Sequence, residues 1–480
     1  YSDAYLEDDT NPRWVAKPTV AYLWARTVPC KSCRATLPLL KTQWLCRKSG
    51  KRIRLTMDTK ADGSGVTFGI ARDVPKGIDK SKTGGTMSRS GATCPCCGTT
   101  MTMSDLRAEG KARNLSQQIT AVVIDGPNGK EYRLPTDEER AATERAEAEL
   151  DALYDDIPFG LPTEPMPDED ALGMRIPKYG FDQWYTLFTP RQLLALGTFV
   201  KHTRRVGEAM DLYSYTSDWK EAMRAFLSSA FDRMLDFNST IQSWITSVEA
   251  TRNVFDRYVL PMKWDFTEVA IPNDVRGGYI PCVDKIGNSI ETIQRATDSA
   301  HPVPNVKQES ATQIDKEGYD AIVTDPPYYD AIPYSDAMDF FYVWLRRSLY
   351  GLSDEIDDVF SNPLAPKWDH DAKDGELIDD ASRFEGDTDR SKQAYEDGMA
   401  EAFESCYEAL NDDGRLCIVF ANKSADAWET LVSAVIRAGF VVDASWPIET
   451  EQISRMRAQS SAALSSSIWI VCRKRPKTAR

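Results

Sequence analysis

Hydrophobic and polar positions along the chain follow three different patterns. From about residue 30 to 124 the chain is rich in Gly, Thr and Lys and its apolar runs are short, which is typical of a small metal-stabilised module. From Thr189-Pro190 to about residue 257, apolar residues recur at helical spacing and predict a helical layer, with Thr189 as N-cap and Pro190 in the first turn. An Ala- and Glu-rich stretch at 136–153 predicts an exposed helix, and the prolines after it predict a linker near 154–175.

The last third of the chain alternates strands and helices. A strand is expected near 306–308, and the apolar run Tyr319–Thr324 predicts a central parallel strand. Further strands are expected at 416–420, 441–446 and 467–473, with helices at 335–349, 392–410 and 428–438. We interpret the Asp-rich stretch 354–389 as a mobile loop near the mouth of a site. The alternation predicts an α/β fold with a doubly wound sheet, in which ligands bind at the carboxyl ends of the strands.

The composition is that of a soluble globular protein. A chain of 480 residues is expected to form two or three domains, and 42% hydrophobic with 27% charged residues is an ordinary balance. No apolar run approaches the roughly 20 residues that a membrane-spanning helix needs, so no membrane partner is expected. The first residues are polar and acidic, which argues against a signal peptide and favours a cytoplasmic location.

Charge is distributed unevenly along the chain. The net charge is −15, from 58 Lys+Arg against 73 Asp+Glu. Residues 1–120 hold 20 Lys+Arg and 10 Asp+Glu, which leaves 38 against 63 for the remainder. A basic front part can contact nucleic-acid phosphates while an acidic remainder favours solubility. Six basic residues of the front part could contact nucleic acid or could equally form a solvated strand face: Lys41, Arg47, Lys48, Lys51, Arg52 and Arg54.

Ten cysteines without a secretory signal indicate metal binding or free thiols rather than a disulfide framework. Two C-x-x-C pairs, Cys30 with Cys33 and Cys94 with Cys97, lie about 60 residues apart. Two such pairs can place four thiolates around Zn²⁺ in a closed structural site. Cys96 could replace Cys94 or Cys97, although the C-x-x-C spacing argues against it. The alternative is a set of unmetallated surface cysteines.

The tetrapeptide Asp325-Pro326-Pro327-Tyr328 directly follows the predicted central strand, where an α/β fold carries its catalytic loop. These residue types suit chemistry on an exocyclic base amine, whose lone pair is delocalised into the ring. The Asp325 carboxylate and the Pro326 carbonyl can each accept one amine hydrogen, and the prolines keep these acceptors rigid. Tyr328 offers a flat face to an extruded base, where stacking contributes roughly 1–3 kcal/mol. The alternative is a proline-rich turn with a capping Asp.

Aromatic residues are frequent after this motif. We interpret most of them as core residues, because they recur within the helix predicted from Ser335. Tyr329 and Tyr334 are the two that we expect outside the core, where they would be available to a base.

The motif and its surroundings resemble a known family. Asp325–Asp330 and Asp339–Arg347 are similar to the zinc-ribbon-containing adenine-specific DNA methylases, and the similarity extends over nearly the whole chain. It includes Trp24–Thr27, Phe188–Gln192, Arg252–Phe255, Pro261–Phe266, Arg455–Arg457 and Ser466–Ile468. The resemblance implies S-adenosylmethionine-dependent methyl transfer to adenine N6 of DNA on a Rossmann-like class I methyltransferase sheet. In such enzymes the loop that matches Asp325–Tyr328 holds the target amine.

The family's glycine-rich cofactor loop is expected upstream of Tyr1, and this chain shows no substitute for it. Asp62–Gly65 and Arg276–Gly278 lack a strand before and a helix after them. Ser310 and Thr312, which follow the strand predicted near 306, are expected to form part of the cofactor's adenine pocket. The methyltransferase sheet that the resemblance implies is then incomplete in this chain. Either the chain is truncated, or a separate polypeptide supplies the N-terminal cofactor-binding half. The expected partners are DNA or RNA and, in the second case, that polypeptide.

These expectations divide the chain into five parts. They are a lead-in segment of the catalytic domain (1–28), a zinc-ribbon insertion (29–126), a helix and Pro-rich linker (127–180), a helical layer (181–265) and a methyltransferase catalytic part with the Asp-Pro-Pro-Tyr motif (266–480). Two rival functions stay open. One is the same chemistry on cytosine N4 or an RNA base, and the other is a non-catalytic zinc protein that binds nucleic acid.

Overall fold

A five-stranded antiparallel sheet joins the start of the chain to two later segments. The computed structural model describes residues 17–78, 83–255, 260–297, 304–329, 332–422, 424–448 and 467–476. The central strand of this sheet, β1 (Thr19–Pro29), pairs with β2 (Thr36–Leu39), β8 (Ser116–Gly126) and β12 (Asp265–Val269). A further strand, β9 (Gly129–Arg133), pairs with β8. Most of β1 is buried because apolar clusters cover both of its faces, with Leu23 and Ala25 in one cluster and Trp24 in another.

The segment between β2 and β8 forms two small sheets and a helix. These elements are β3 (Trp44–Lys48), β4 (Lys51–Thr59), β5 (Val66–Ala71), β6 (Gly91–Thr93), β7 (Thr100–Thr102) and α1 (Met103–Lys111). β3, β4 and β5 form an antiparallel meander, and β6 and β7 form a hairpin. The meander shares an apolar cluster with β1 and β8, so it packs directly against the large sheet.

Helices and irregular segments surround the largest apolar core. The helices are α2 (Asp137–Ala148), α3 (Leu150–Tyr154), α4 (Pro190–Arg204), α5 (Val206–Asp211), α6 (Ser217–Leu235), α7 (Tyr279–Thr297) and α8 (Tyr334–Leu349), with a hairpin of β10 (Trp244–Ile245) and β11 (Ala250–Thr251) after α6. The predicted helix start at Thr189 is confirmed, since its side chain accepts a hydrogen bond from the N–H of Gln192. Trp344 of α8 packs against Phe188, with ring centroids 5.4 Å apart. Within the described ranges, no helix is long and apolar enough to cross a bilayer.

The segment predicted as a linker near 154–175 has an irregular backbone after α3, and two 3-10 turns, Pro177–Tyr179 and Trp184–Leu187, follow it. The segment nevertheless contacts α8. The fully buried Arg347 of α8 donates to the backbone carbonyl of Gly160 and forms an ion pair with Glu164 at 2.8 Å. A buried guanidinium needs such acceptors because it has lost its hydration. The segment is therefore fastened to the helical layer.

The acidic stretch after α8 contains a helix, α9 (Asp354–Val359), and a 3-10 turn, Ala381–Phe384. Buried ion pairs tie this stretch to the start of α8. Lys367 lies 2.9 Å from Asp336 and 2.8 Å from Asp339. Charges that are paired away from water hold a loop in one place, because each partner left alone would be buried without a counter-charge.

The C-terminal sheet has the strand order β13-β14-β16-β15. Its strands are β13 (Tyr319–Thr324), β14 (Leu410–Phe420), β15 (Phe440–Ile448) and β16 (Ser467–Lys474), and α10 (Thr388–Ala409) and α11 (Ala425–Arg437) pack on one face. β13 and β14 are parallel, whereas β16 is antiparallel to both of its neighbours. The chain therefore has an α/β fold with largely antiparallel sheets. A Rossmann-like, doubly wound sheet stays a prediction, because the described helices cover one face of this sheet.

The opposite face of the C-terminal sheet is apolar and carries no helix of the described ranges, and we call it the uncovered face. Strand register places Val323, Cys417, Val471 and Ala444 side by side in one row, and Val419, Trp469 and Trp446 in the next. None of these side chains is buried in the described structure, and Val323 is 65% exposed. The outer edge of β13 pairs with no described strand.

The strand predicted near 306–308 is not formed. Residues 304–318 contain no strand, and Val306 is 91% exposed. That prediction was wrong because the apolar residues of this stretch are too few to give a strand a face to bury.

Candidate functional site

Four cysteines from the two C-x-x-C pairs lie together between the large sheet and the small β6–β7 hairpin. The Sγ atoms of Cys30, Cys33, Cys94 and Cys97 all lie within 4.8 Å of one another. Two of the Sγ–Sγ distances, Cys30 to Cys97 and Cys33 to Cys94, are 3.7 Å. Four thiolates around one Zn²⁺ at bond lengths of about 2.3 Å lie about 3.8 Å apart. The cluster could therefore hold a metal ion, and its size is compatible with zinc.

The two pairs adopt the same backbone turn. In the first, the N–H of Arg34 donates to the Cys30 carbonyl and the N–H of Cys30 donates to the Ala35 carbonyl, each at 2.9 Å. In the second, the N–H of Gly98 donates to the Cys94 carbonyl and the N–H of Cys94 donates to the Thr99 carbonyl, each at 2.9 Å. Arg34 has φ of 64° and Gly98 has φ of 75°, the left-handed conformation that lets the chain turn back around the thiols. Each turn thus brings two thiols to the same side of its own segment, and the two segments together supply the four thiolates of a closed metal site.

The cluster holds two kinds of thiol. Hydrogen bonds from the side chain and backbone of Thr99 lower the pKa of Cys97 to about 6. Burial raises the pKa of Cys94 to about 12. A metal ion would bind all four as thiolates and would release the remaining protons. Cys96 lies outside the cluster, since its thiol lies 3.4 Å from the Gly65 carbonyl.

The basic residues of the small module are largely engaged in internal contacts. Lys48 and Lys51 form ion pairs with Glu249 at 2.8 and 2.7 Å. Arg52 donates to a backbone carbonyl, and Arg54 donates to a side-chain amide oxygen at 2.8 Å. Of the six basic residues singled out from the sequence, Lys41 and Arg47 are exposed. Most of the set therefore stabilises the module, and a phosphate-binding role is left with fewer side chains.

The Asp325–Tyr328 loop lies at the carboxyl end of β13, as the sequence predicts. Asp325 is exposed, and the Tyr328 hydroxyl donates to its Oδ1 atom at 2.6 Å. The Tyr328 ring is half-buried and contacts the edge of Phe420 at a centroid distance of 5.4 Å. Burial, followed by the Asp325 carboxylate, raises the pKa of Tyr328. The hydroxyl therefore stays protonated and keeps donating to Asp325.

The next residue, Tyr329, has φ of 58°, a left-handed conformation that is rare for a bulky side chain. Tyr329 is buried, so the expectation that it lies outside the core was wrong. Its ring packs at 82° against the ring of Tyr395, a residue of α10, with centroids 5.3 Å apart. Tyr334, at the start of α8, is 50% exposed and lies outside the core as expected.

Two residues that sequence reasoning missed hold the backbone of this loop. The Tyr395 hydroxyl donates to the Pro327 carbonyl at 2.8 Å, and Asn422 donates from Nδ2 to the Tyr328 carbonyl at 3.3 Å. Asn422 follows β14 and could have been found as a polar residue at the carboxyl end of the neighbouring parallel strand. No comparable signal marks Tyr395, because it lies within a long amphipathic helix.

Ser310 and Thr312 lie in a cleft of about 360 Å³. Their hydroxyl oxygens are 2.9 Å apart, and the Ser310 hydroxyl donates to Asp374 at 2.7 Å. Gly398 of α10 forms one wall, one helical turn from Tyr395. The structure thus groups Ser310 and Thr312 with a carboxylate, although the strand expected to precede them is not formed.

A buried charge network lies at the start of α8, next to the loop. Glu376 accepts hydrogen bonds from the backbone N–H and the hydroxyl of Ser335 at 3.1 and 2.6 Å, and Arg383 pairs with Glu376 at 2.7 Å. Burial raises the pKa of Asp339 to about 6, although its ion pair with Lys367 acts in the opposite direction. Glu376 of the acidic stretch therefore caps the first turn of α8.

Comparison with known proteins gives no assignment for this arrangement. No family model, no curated protein and no solved structure matches the chain. The methylase family is therefore a resemblance that the quoted motifs carry.

Proposed function

We propose that this chain carries the methyl-transfer loop of an S-adenosylmethionine-dependent DNA methyltransferase that acts on adenine N6. The observation that carries the proposal is the state of the acceptors in the Asp325–Tyr328 loop. Asp325 is exposed at the carboxyl end of β13. Among the described residues, no donor occupies the Pro326 carbonyl, whereas the carbonyls of Pro327 and Tyr328 are both occupied. One carboxylate and one carbonyl are thus left for an incoming amine.

These acceptors fit the two hydrogens of an exocyclic amine. Asp325 Oδ1 accepts the Tyr328 hydroxyl, and its Oδ2 atom accepts no hydrogen bond from the described residues. The amine would donate one hydrogen to Asp325 and the other to the Pro326 carbonyl, which favours the pyramidal nitrogen that attacks a methyl group. The new N–C bond would form as the bond between the methyl group and the sulfonium sulfur breaks, which leaves a neutral thioether, and the excess amine proton then leaves to water. Tyr328 would stack on the extruded base, and Tyr334 is exposed nearby in the chain.

The cofactor would supply the electrophilic methyl group. Of the residues in this chain, Ser310 and Thr312 are the ones we propose to hold its adenine end, together with Asp374. Two hydroxyls and a carboxylate match the donors and acceptors of an adenosine. The glycine-rich loop that would hold the rest of the cofactor is not found among the residues of this chain.

The C-terminal sheet supports a partner polypeptide that completes the enzyme. An exposed apolar strand face and an unpaired strand edge are both surfaces on which another chain can pack, and Val323 is 65% exposed while the outer edge of β13 is unpaired in the described structure. A segment that adds a parallel strand to β13 and a helix to the uncovered face would bury both. That position is also beside Asp325, where a bound cofactor has to lie.

A metal ion in the four-cysteine cluster would have a structural role. The cluster joins the end of β1 to the β6–β7 hairpin, and all four positions around the metal are taken by thiolates. A site without an open position holds chain segments together and does not bind a reacting water. We assign the zinc to the stability of the small module.

Methyl transfer from labelled S-adenosylmethionine to DNA and to RNA tests the proposal, with mass analysis of the released nucleosides. N6-methyladenine is expected, and N4-methylcytosine alone would overturn the adenine assignment. Asp325→Asn is expected to abolish transfer because it removes the acceptor charge. Asp412→Asn is the matched control, since Asp412 is an exposed carboxylate near the other end of the sheet.

The rival function is a zinc protein that binds nucleic acid without catalysis, for which the small module offers the exposed side chains of Lys41 and Arg47. Titration calorimetry with S-adenosylmethionine separates the two. Cofactor binding by the chain, or by the chain with a second polypeptide, favours the methyltransferase. Binding to DNA with no cofactor binding in either state favours the rival.

A further inference from the structure

Tyr395 lies in a helix that forms no part of the Asp325–Tyr328 motif, yet its hydroxyl bonds to the loop at two points. The hydroxyl donates to the Pro327 carbonyl at 2.8 Å and accepts from the N–H of Tyr329 at 3.3 Å. The side chain is 2% exposed. We infer that Tyr395 is a positioning residue that fixes the direction of the Pro326 carbonyl, an inference that rests on the proposed methyl transfer.

The backbone of the loop needs such a hold. Tyr329 has φ of 58°, which is unfavourable for an L-residue with a large side chain. A left-handed residue after a tight loop persists when neighbouring contacts favour it, and the Tyr395 hydroxyl bonds to the N–H of this very residue. The perpendicular contact of the two rings adds a second restraint.

The hydrogen bonds to the loop carbonyls indicate how Tyr395 orients the Pro326 carbonyl. The Pro327 carbonyl accepts the Tyr395 hydroxyl at 2.8 Å and the N–H of Tyr329 at 3.1 Å, and Asn422 donates to the Tyr328 carbonyl at 3.3 Å. Asn422 is held in turn, because Trp428 donates from its indole N–H to the Asn422 backbone carbonyl at 2.9 Å. With the two following carbonyls fixed and the proline φ angles restricted, the Pro326 carbonyl keeps one direction. Tyr395 thus acts on the substrate amine through the backbone and does not touch it.

Tyr395→Phe tests the inference because it removes the hydroxyl and keeps the buried ring. The matched control is Tyr154→Phe, which removes another buried tyrosine hydroxyl, one that donates to the Leu193 carbonyl at 2.9 Å away from the loop. Both variants are expected to fold, which their unfolding curves check. Amide hydrogen exchange then reports on the Tyr329 N–H. We expect exchange to be at least about tenfold faster in Tyr395→Phe and unchanged in Tyr154→Phe.

The kinetic readout uses the chain in the state that methylates DNA, with its partner polypeptide if one is required. Tyr395→Phe is expected to lower kcat by about 10- to 100-fold and to leave KM for both substrates within about twofold, since a displaced acceptor affects the reacting geometry. Equal kcat losses in both variants would mean a general effect of lost hydrogen bonds and would overturn the inference. Unchanged exchange at Tyr329 would overturn it whether or not the protein methylates DNA. Altered exchange in a protein that methylates neither DNA nor RNA, alone and with its partner polypeptide, would refute the proposed function and, with it, the catalytic meaning of Tyr395.

Discussion

Replacing single cysteines of the metal cluster tests its assignment most directly. Cys97 and Cys96 are adjacent in sequence, but the Cys97 thiol belongs to the cluster and the Cys96 thiol does not. Cys97→Ser is therefore expected to weaken zinc binding, and Cys96→Ser is expected to leave it unchanged. The pair forms a matched experiment, because both changes replace one sulfur by oxygen in the same turn.

The expected loss follows from the geometry of the cluster. Zinc in small four-ligand modules contributes about 10–16 kcal/mol of apparent binding free energy, and the 3.7 Å Sγ–Sγ distances show that the thiols need little movement to reach bonding positions. One ligand in four then accounts for about 3–4 kcal/mol, which raises the Kd of zinc by about 100- to 1000-fold in Cys97→Ser.

Competition with a chromophoric chelator measures both the zinc content and the Kd. Wild type and Cys96→Ser are expected to keep about one zinc ion per chain at chelator concentrations that strip Cys97→Ser. Chelation is also expected to open the segment between β2 and β8 to proteases, because its short strands bury little apolar surface of their own. Equal zinc affinity in the two variants, or a loss confined to Cys96→Ser, would refute the reasoning.

Three further predictions concern stability, the partner and the base. Glu249→Gln is expected to reduce the free energy of unfolding by about 1–3 kcal/mol at pH 7 in a urea titration, since Glu249 is buried against Lys48 and Lys51. Glu131 is paired with Lys17 at the surface, so Glu131→Gln is the control and is expected to change this free energy by less than about 0.5 kcal/mol. Burial acts to raise the pKa of Glu249, but hydrogen bonds from Lys48, Lys51 and Tyr132 outweigh burial, and the pKa is lowered. The stability that Glu249 contributes is therefore present above its unfolded-state pKa of about 4.3 and is lost as the pH falls through the folded-state pKa. Val323→Lys is expected to change the free energy of unfolding by less than about 0.5 kcal/mol, because Val323 is 65% exposed. The same variant is expected to weaken binding of the completing polypeptide at least about tenfold in a pull-down titration. Tyr328→Phe is expected to keep most methyl transfer, whereas Tyr328→Ala loses about 10- to 100-fold in kcat/KM, as the loss of stacking predicts.

Each of these has an outcome that contradicts it. A stability difference between wild type and Glu249→Gln that grows below pH 4 would mean that the carboxylate is not stabilised in its charged form. Unchanged partner binding by Val323→Lys would place the completing polypeptide elsewhere. Equal activity of Tyr328→Phe and Tyr328→Ala would show that the ring does not stack on the base.

Local features of the fold and site could be predicted from the sequence. The capped start at Thr189, the strand Tyr319–Thr324 with the motif at its carboxyl end, and the two C-x-x-C pairs all depend on residues within a few positions of each other. Capping, strand propensity and turn geometry act over such short spans, so the sequence pattern was sufficient for them. The α/β class followed from the same local patterns, and the charge pattern alone left the role of the basic residues open.

The tertiary structure decided everything that depends on which distant segments meet. It placed β1 between β8 and β12, directed Lys48 and Lys51 to Glu249, buried Tyr329, and left 304–318 without a strand. It also brought Tyr395 and Asn422 to the loop from 66 and 94 residues away. A hydrogen bond or ion pair across such a distance depends on the packing of whole sheets and helices, which no short window of sequence contains. The sequence therefore determined the acceptors and thiols available for chemistry, and the packing determined which of them are held, which are free and in which direction they point.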